Sequence, residues 1–266
     1  MSVDSSAEIH TTAIIETGAV IGPDCKIGPY CVIGADVTLG RAVQLKSHVA
    51  VAGITSIGDE TQVYPFASIG HAPQDLKFAG ERTTLTIGSR NRIREYVTMN
   101  PGTEGGGGVT TVGDNNLFMM SVHVGHDCRV GNNNVLANSV ALAGHVVMED
   151  NIVIGGLSGI QQFCRIGTGA MIGGMSGIVA DVIPYGTTAG ERANLVGLNL
   201  IGLKRRGADR GDINELRGAF TEMFADGETL KTRMNEVEAR YPDNPLIGEI
   251  IRFVRAEASR HFTIPG

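Results

Sequence analysis

Two histidines, an aspartate and a cysteine lie close together in the stretch VHVGHDCRVG, residues 122–131. These side chains serve in proteins as general bases, as the carboxylates that orient those bases, or as zinc ligands. Histidine suits proton transfer because its ordinary pKa lies close to neutrality. A polar, solvated surface can carry the same residue types without any chemistry. The direction in which each side chain points decides among these interpretations.

The chain has a period of six residues that sets those directions. Branched aliphatic residues recur at Val3, Ile9, Ile15, Ile21, Ile27, Ile33, Leu39, Leu45, Val51, Ile57, Val63 and Ile69. Four positions after the aliphatic residue comes a small residue. The position directly after the aliphatic residue is often glycine. Such hexads predict a parallel β-helix, in which the aliphatic and small residues face the interior of a narrow coil. The period itself shows only a solenoid of six-residue units; if three hexads make one coil, residues 18 apart stack at the rung spacing of a β-ladder, roughly 4.8 Å.

The repeat continues to Ile178 and is interrupted twice. We predict a β-helix over residues 1–186, with insertion loops near 71–86 and 101–111, and an α-helical domain over 187–266. Insertions in a solenoid map to loops on one face, which is often the binding face.

Helical spacing of apolar residues places the helices within 210–262, with Asp212 as an N-cap and a break at YPDNP. The segment is too small for a rich core of its own, so we expect it to pack on the solenoid end or on a neighbouring chain.

Composition excludes several classes of protein. Glycine accounts for 37 of the 266 residues and aromatic residues for 5%, which favours frequent turns over a core of large side chains. The net charge of −6 argues against nucleic-acid binding over the whole surface. No run approaches the roughly 20 apolar residues of a membrane-spanning helix. The first ten residues, MSVDSSAEIH, lack the basic and apolar regions of a signal peptide.

The four cysteines follow the repeat. Cys25, Cys31, Cys128 and Cys164 all occupy the small inward position. We expect them to be buried and reduced, which indicates a reducing compartment.

The same register interprets the opening stretch. Cys128 faces the coil interior, whereas His126 and Asp127 face outward. A zinc site using Cys128 would require that side chain to turn around. His145 lies 18 residues after Asp127, so it should stack one rung above that carboxylate within side-chain reach.

Gly144 stacks one rung above His126, and Gln162 lies two rungs above. Glycine should leave open space and an exposed backbone amide beside the imidazole. This is the composition of a general base with orienting partners and a candidate oxyanion donor. A bland polar face and a metal site remain open on spacing alone.

Other motifs are less informative. The first insertion contains HAPQDLKFAG, with Asp75 and Lys77, and the second contains PGTEGGGG, which we interpret as flexible and uninformative. The segment GLKRRG, residues 202–207, is a basic cluster in an acidic protein. It suits phosphates or an acidic partner, and equally a plain charged surface.

Specific segments resemble one family. They are LKSHV (45–49), FASIG and QDLKF (66–78), NRIREYVT (91–98), HVGHDCRVGN (123–132), LAGHV (142–146), QQFCRIG (161–167) and NLIGLKRRG (199–207). Together they resemble the UDP-N-acetylglucosamine 3-O-acyltransferases among the hexapeptide-repeat acyltransferases, and the resemblance covers nearly the whole chain.

The resemblance implies a fold, a reaction and partners. It implies a left-handed, triangular parallel β-helix and a homotrimer with sites between neighbouring solenoids. The reaction would move an (R)-3-hydroxyacyl group from acyl carrier protein to the 3-hydroxyl of UDP-N-acetylglucosamine, the first step of lipid A synthesis in the cytoplasm. The donor is the phosphopantetheine thioester of the carrier, and no metal or other cofactor is implied. GLKRRG would be the landing patch for the acidic carrier.

Matching positions imply roles for individual residues. His126 would be the general base, Asp127 would orient it, and the amide of Gly144 would stabilise the oxyanion. The sugar-nucleotide and acyl sites would be lined by Asp75, Lys77, His123, His145 and Gln162. Asn199 and Arg206 would contact the nucleotide, and Arg205 would contact the phosphate-bearing donor. Gly174 would limit acyl length, and its small size would favour longer chains.

Three positions depart from the family pattern, since Gln161, Arg192 and Asn100 stand where histidine is frequent. These departures concern the nucleotide contacts and not the chemistry. The competing interpretations are an N-acyltransferase of the same pathway, which would need an additional N-terminal domain, a zinc-dependent hydratase with histidines meeting between subunits, and a scaffold without catalysis.

Overall fold

The structure is a computed structural model that describes residues 2–225 and 227–266, and it contains a three-sided parallel β-solenoid followed by helices. In chain order the strands are β1 (Ser2–Val3), β2 (Glu8–Ile9), β3 (Ile14–Ile15), β4 (Val20–Ile21), β5 (Lys26–Ile27), β6 (Val32–Ile33), β7 (Thr38–Leu39), β8 (Gln44–Leu45), β9 (Ala50–Val51), β10 (Ile54–Ile57), β11 (Gln62–Val63), β12 (Ser68–Ile69), β13 (Thr84–Ile87), β14 (Arg92–Ile93), β15 (Thr98–Met99), β16 (Val109–Val112), β17 (Leu117–Phe118), β18 (His123–Val124), β19 (Arg129–Val130), β20 (Val135–Leu136), β21 (Ala141–Leu142), β22 (Val147–Met148), β23 (Val153–Ile154), β24 (Gly159–Ile160), β25 (Arg165–Ile166), β26 (Met171–Ile172), β27 (Gly177–Ile178), β28 (Gly186–Ala189) and β29 (Asn194–Leu198). The helices are α1 (Leu200–Arg205), α2 (Arg210–Met223), α3 (Leu230–Arg240) and α4 (Pro245–Arg255).

Each coil contributes one strand to each of three sheets. Sheet A runs from β1 through every third strand to β25, sheet B from β2 to β26, and sheet C from β3 to β27. Uninterrupted coils pair residues 18 apart, as in Val20 with Thr38 and Lys26 with Gln44. The predicted β-helix and its rung register are confirmed.

The core follows from the hexad pattern. Inward residues such as Ile33, Leu136 and Ile172 are fully buried, and each such side chain contributes about 1.5–3 kcal/mol relative to exposure. All four cysteines are free and buried, as expected. Burial raises the pKa of Cys128 to about 12 and that of Cys164 to about 11, so these thiols stay protonated at neutral pH.

Both insertions lie at one corner of the solenoid. The first connects β12 of sheet C to β13 of sheet A, and the second connects β15 of sheet C to β16 of sheet A. The second contains a short 3₁₀ turn, Glu104–Gly106. His126 and Asp127 occupy the turn between β18 and β19, which is the same corner one coil later. We name it the C–A corner.

Sheet B continues beyond the last full coil. Strand β28 pairs with β26 and forms an antiparallel hairpin with β29, and α1 begins two residues after β29 ends. The boundary proposed between residues 186 and 187 lies within β28 and stays a prediction. No helix in the described part of the chain is long and apolar enough to cross a membrane.

The helical segment differs from expectation in two respects. It has a core cluster of its own, including Leu216 and Ile250, which also takes in Ile183 and Tyr185 from the solenoid end. The expectation of a poor core was therefore wrong, whereas packing on the solenoid end is confirmed. The last helix ends at Arg255, not near residue 262, because the chain then returns to the solenoid in an extended bridge between Asp181 and Phe262.

The start of α2 was also predicted wrongly. Its N-cap is Asp209, whose carboxylate accepts hydrogen bonds from the amides of Gly211 and Asp212. Asp212 lies inside the first turn. The break at YPDNP is confirmed, because α3 ends at Arg240 and Asn244 caps α4.

We expect Asp209→Ala to lower the free energy of unfolding by about 1 kcal/mol, because amides of the first turn lose their acceptor. Asp212→Ala removes only a charge from the first turn and should cost less, about 0.3–1 kcal/mol. Urea denaturation of both variants measures this order. An Asp212→Ala variant that is the less stable of the two would contradict the observed cap.

Candidate functional site

Successive coils place the candidate residues in two columns at the C–A corner. His126, Gly144 and Gln162 form one column, and Asp127 and His145 lie in the next. Both Asp127 and His145 have left-handed backbones, with φ of 59° and 63°. The amide of His145 donates to the carbonyl of His126 at 2.9 Å. The rung register therefore places these residues together as the sequence predicted.

His126 and Asp127 form a hydrogen-bonded pair. The imidazole Nδ1 lies 2.7 Å from Oδ2 of Asp127, and the side chains are 11% and 1% exposed. An ionised carboxylate only accepts hydrogen bonds, so Nδ1 carries the proton. The second nitrogen, Nε2, then has a free lone pair and can accept a proton. The pair has the composition of a base with its orienting partner.

The second insertion buries the Asp127 carboxylate. The backbone N–H of Thr103 donates to Oδ1 at 2.9 Å, and the Thr103 hydroxyl donates to Oδ2 at 2.7 Å. The amide of Asp127 donates to Oγ1 of Thr110 at 2.7 Å. Burial opposes ionisation, but the hydrogen bonds from Thr103 and His126 lower the pKa of Asp127 below its usual value.

The interpretation of PGTEGGGG as uninformative was therefore wrong. Sequence reasoning missed both Thr103 and Thr110. The available signal was weak: Thr103 is the only hydroxyl residue in that stretch, and the insertion shares its corner with His126.

Gly144 lies directly against the His126 ring. A Cβ at Gly144 would lie 2.5 Å from both Cε1 and Nε2 of His126, so the imidazole fills the space that was expected to be open. Within the described residues, the Gly144 amide donates no hydrogen bond. A Cβ at Gly125 would lie 2.9 Å from that nitrogen, so glycine there keeps the amide accessible. A free N–H beside a candidate base is the arrangement that an oxyanion requires.

These groups open into a groove of about 470 Å³ along sheet C. Its lining consists of Gln74, Asn100, His123, Gly125, His126, Ala141, Ala143, Gly144, Gly159, Ile160, Gln161 and Gln162. His123 Nδ1 lies 2.8 Å from Oγ1 of Thr98. Burial, with the nearby His126, lowers the pKa of His123, and burial also lowers the pKa of His145. Both rings are therefore neutral near pH 7.

Asp75 and Lys77 lie outside this lining, where the first insertion contributes Gln74. The carboxylate of Asp75 accepts the amide of Lys77 at 3.1 Å. Between them, Leu76 is fully exposed. Within one chain, therefore, the first insertion reaches the groove through Gln74 and not through the predicted residues Asp75 and Lys77.

The basic cluster lies in a second groove. Asn199, Arg205 and Arg206 line a space of about 700 Å³ between α1 and sheet B. Asn199 caps α1 by accepting the amide of Gly202 and donates to the carbonyl of Gly169. A single chain does not bring this cluster into the groove of His126.

Of the remaining positions, Gly174 and Arg192 lie outside the groove of His126, whereas Asn100 lines it. Gly174 is exposed at the corner between sheets B and C, and a Cβ there would have Gly156 O as its nearest atom, at 3.4 Å. Asn100 donates to the carbonyls of His71 and Ala72, so it holds the start of the first insertion. Arg192 is exposed.

The corner also contains a set of metal-ligand types. The ligand atoms of His126, Asp127 and His145 lie within 4.8 Å of one another, the one such group among the described residues. Cys128 does not join them, because its thiol donates to the carbonyl of Ala143 at 3.1 Å inside the coil. The Asp127 oxygens already accept from Thr103 and His126, which favours a hydrogen-bonded pair over metal coordination.

Comparison with known proteins gives consistent matches. The family model described as Udp N-acetylglucosamine O-acyltransferase, Domain 2, matches residues 181–263, and that of the bacterial transferase hexapeptide (six repeats) matches residues 6–53. The chain is 51% identical to the acyl-[acyl-carrier-protein]–UDP-N-acetylglucosamine O-acyltransferase of Rickettsia typhi, covering 97% of this chain and 98% of that one. It is 54% identical to the protein of the same name from Paracoccus denitrificans, over 76% and 77% of the two chains.

Solved structures are similar over the same length. LpxA from Acinetobacter baumannii has a TM-score of 0.94 at 41% identity, covering 96% of this chain and 99% of that one. The UDP-N-acetylglucosamine acyltransferase from Campylobacter jejuni has a TM-score of 0.91 at 36% identity, covering 97% and 100%. The likeness therefore includes both the solenoid and the helices.

Proposed function

This chain belongs to the family of acyl-[acyl-carrier-protein]–UDP-N-acetylglucosamine O-acyltransferases, and we propose that it moves an (R)-3-hydroxyacyl group to the 3-hydroxyl of the sugar. That reaction is the first step of lipid A synthesis. The observation that supports it is the His126–Asp127 pair beside the free amide of Gly144. We further propose a cytoplasmic enzyme, since its four free, buried cysteines suit a reducing compartment.

The proposed mechanism uses the free Nε2 of His126 as the general base. It takes the proton of the 3-hydroxyl while the sugar oxygen attacks the thioester carbonyl carbon. Asp127 holds the other ring proton and stabilises the imidazolium. The negative oxygen of the tetrahedral intermediate accepts the Gly144 N–H. Collapse breaks the carbon–sulfur bond, and the leaving thiolate takes the proton from the imidazolium, which gives the ester and free phosphopantetheine thiol.

Substrate contacts are proposed from the two grooves. His123, His145 and Gln162 would line the sugar and acyl sites, together with Asp75 and Lys77 of the first insertion. Asn199 and Arg206 would contact the nucleotide and Arg205 the phosphate-bearing donor. Acyl carrier protein would approach over the basic cluster of α1.

We also propose a homotrimer, and the separation of those grooves supports a site shared between chains. A site that combines His126 with Arg205 and Arg206 needs a neighbouring chain, because one chain places them in different grooves. Leu76 presents a fully exposed apolar side chain on the first insertion, as a subunit contact would.

Product mass spectrometry tests the reaction. Chelator-treated protein is mixed with UDP-N-acetylglucosamine and 3-hydroxyacyl carrier proteins of several lengths, beside His126→Ala. We expect one acylated sugar nucleotide from the parent and little from the variant. No product from any donor would overturn the proposal. Activity that vanishes with chelator and returns with zinc would favour metal use by His126, Asp127 and His145.

Gly174 provides a test of acyl length. Gly174→Met should fit without rearrangement, because the nearest atom to its Cβ is at ordinary contact distance. We expect kcat/KM for the longest donors to fall roughly 10-fold or more, since a pocket discriminates by about that factor for each excluded methylene. The shortest donor is the internal control and should keep the parental rate. An unchanged length preference would contradict this role.

A further inference from the structure

The second insertion holds Thr103 in a fixed position. Its carbonyl accepts the amides of Gly106 and Gly108 at 3.0 and 2.8 Å. The preceding residue, Gly102, donates to the carbonyl of Thr84 at the start of β13. Thr103 is 6% exposed. This part of the loop is therefore an ordered, hydrogen-bonded element.

The Thr103 hydroxyl is not used for its usual local purpose. Thr103 is the N-cap residue of the turn Glu104–Gly106, yet its side chain makes no capping hydrogen bond. A threonine at this position ordinarily accepts from an amide of the following turn. Here the hydroxyl donates to Asp127, 24 residues further along the chain.

Gly106 closes the loop on the same carboxylate. A Cβ at Gly106 would overlap the Asp127 carboxyl group, whereas a Cβ at the neighbouring Gly105 would meet nothing within 4 Å. The first insertion supports this arrangement through Glu81, which accepts the amides of Ala79 and Glu104. The second insertion therefore contacts the buried carboxylate directly, and the first insertion contacts the second.

We propose that Thr103 is a positioning residue for the His126–Asp127 pair, and that the second insertion is part of the catalytic apparatus. Thr103 donates to both Asp127 oxygens, so the carboxylate cannot rotate away from His126 Nδ1. The hydroxyl also competes with protonation of Asp127, because a protonated acid would lose an acceptor site. This inference rests on the proposed function, since it assigns Thr103 an effect on that reaction.

The expected effect is on turnover and not on substrate binding. Thr103→Val removes the hydroxyl at nearly constant volume, and we expect kcat to fall roughly 10- to 100-fold with KM within about twofold, as for loss of a hydrogen bond to a charged group. Thr103→Ser keeps the donor and should restore most of the parental kcat. If Thr103 acted only through packing of its methyl group, Thr103→Val would keep the parental kcat and Thr103→Ser would lose it.

The pH dependence of stability is a second readout. Among the described residues, His126 and His145 are the titratable groups whose ring nitrogens lie close to the Asp127 carboxylate, at 2.7 and 3.8 Å. Without the Thr103 hydroxyl, Asp127 should protonate at higher pH, so on acidification the free energy of unfolding should begin to fall at higher pH in Thr103→Val than in Thr103→Ser.

Gly106→Ala and Gly105→Ala form a matched pair in case Thr103→Val does not fold. We expect Gly106→Ala to lower kcat at least 10-fold and Gly105→Ala to leave it unchanged, because only the first methyl group meets Asp127. A folded Thr103→Val with parental kcat and parental pH dependence of stability, or equal effects of the two glycine variants, would overturn the inference. An inactive parent would instead contradict the proposed function.

Discussion

Replacement of His126 by alanine is expected to lower kcat roughly 10³-fold while the fold is retained, which is the usual contribution of a positioned general base. The variant removes the Nε2 atom that faces Gly144 and leaves the Gly144 amide in place. Residual activity above water should remain, because oxyanion stabilisation and substrate binding persist. Steady-state kinetics at saturating donor and acceptor measure the loss.

His10→Ala is the matched control for His126→Ala. His10 is an exposed histidine of the first coil, with Nδ1 3.0 Å from Oγ1 of Thr12. It should keep the parental kcat. A His126→Ala variant that is folded and retains more than about a tenth of parental kcat would exclude His126 as the base, since general bases contribute more than this.

Asp127→Asn should lower kcat at least as much as His126→Ala, although it preserves the shape of the side chain. The parental carboxylate accepts from His126 and from both donors of Thr103. An asparagine has one oxygen and an amide that donates, so donors would face each other in the same geometry. If the side-chain oxygen of the asparagine still accepts from Thr103, its NH₂ group donates to Nδ1 of His126. The ring proton of His126 then moves to Nε2. The base is then in the wrong tautomer, and we expect kcat to fall roughly 10³- to 10⁴-fold.

The control for this substitution is Asp150→Asn. Asp150 accepts the amide of Asn132 across one coil at another corner, and it makes no hydrogen bond to an imidazole among the described residues. That variant should affect stability without a comparable loss of kcat. Equal kinetic losses in the two variants would show that Asp127 acts only as a structural turn residue.

Asp127 also predicts how stability depends on pH. Its pKa is lowered in the folded state, so its ionised form stabilises the fold fully above the ordinary value of 3.8. As the pH falls below 3.8 and through the lower folded-state pKa, this contribution is lost. The stability difference between the parent and Asp127→Asn should therefore narrow on acidification. Urea denaturation at pH 7 and at pH values near and below about 4 measures it; a constant difference would contradict a hydrogen-bonded, ionised carboxylate.

Much of the site could be predicted because a solenoid converts distance along the chain into position in space. The period of six assigned each side chain to the interior or the surface, and the coil of 18 placed Gly144 beside His126 and His145 beside Asp127. The inward position of Cys128 followed from the same rule. No knowledge of long-range folding was needed, since each coil contacts only its neighbours.

The insertions obey no such rule. The insertion residues Thr103 and His71 have no rung position. The period of six therefore does not relate Thr103 to Asp127, or His71 to Asn100. Those contacts depend on the path of each loop and on the shared corner from which both loops leave. The N-cap of α2 was missed for a similar reason, since Asp209 and Asp212 have equal capping propensity and only the backbone direction separates them.

The sequence, with the three-hexad coil that the family resemblance implies, therefore determined the register and the columns that carry His126, Asp127 and the Gly144 amide, because stacking of similar coils depends on local periodicity. The tertiary structure decided how the carboxylate is buried and held, because that depends on hydrogen bonds from a segment without periodicity. It also decided that the basic cluster of α1 and His126 lie in separate grooves of one chain, because the last strands and helices leave the repeat.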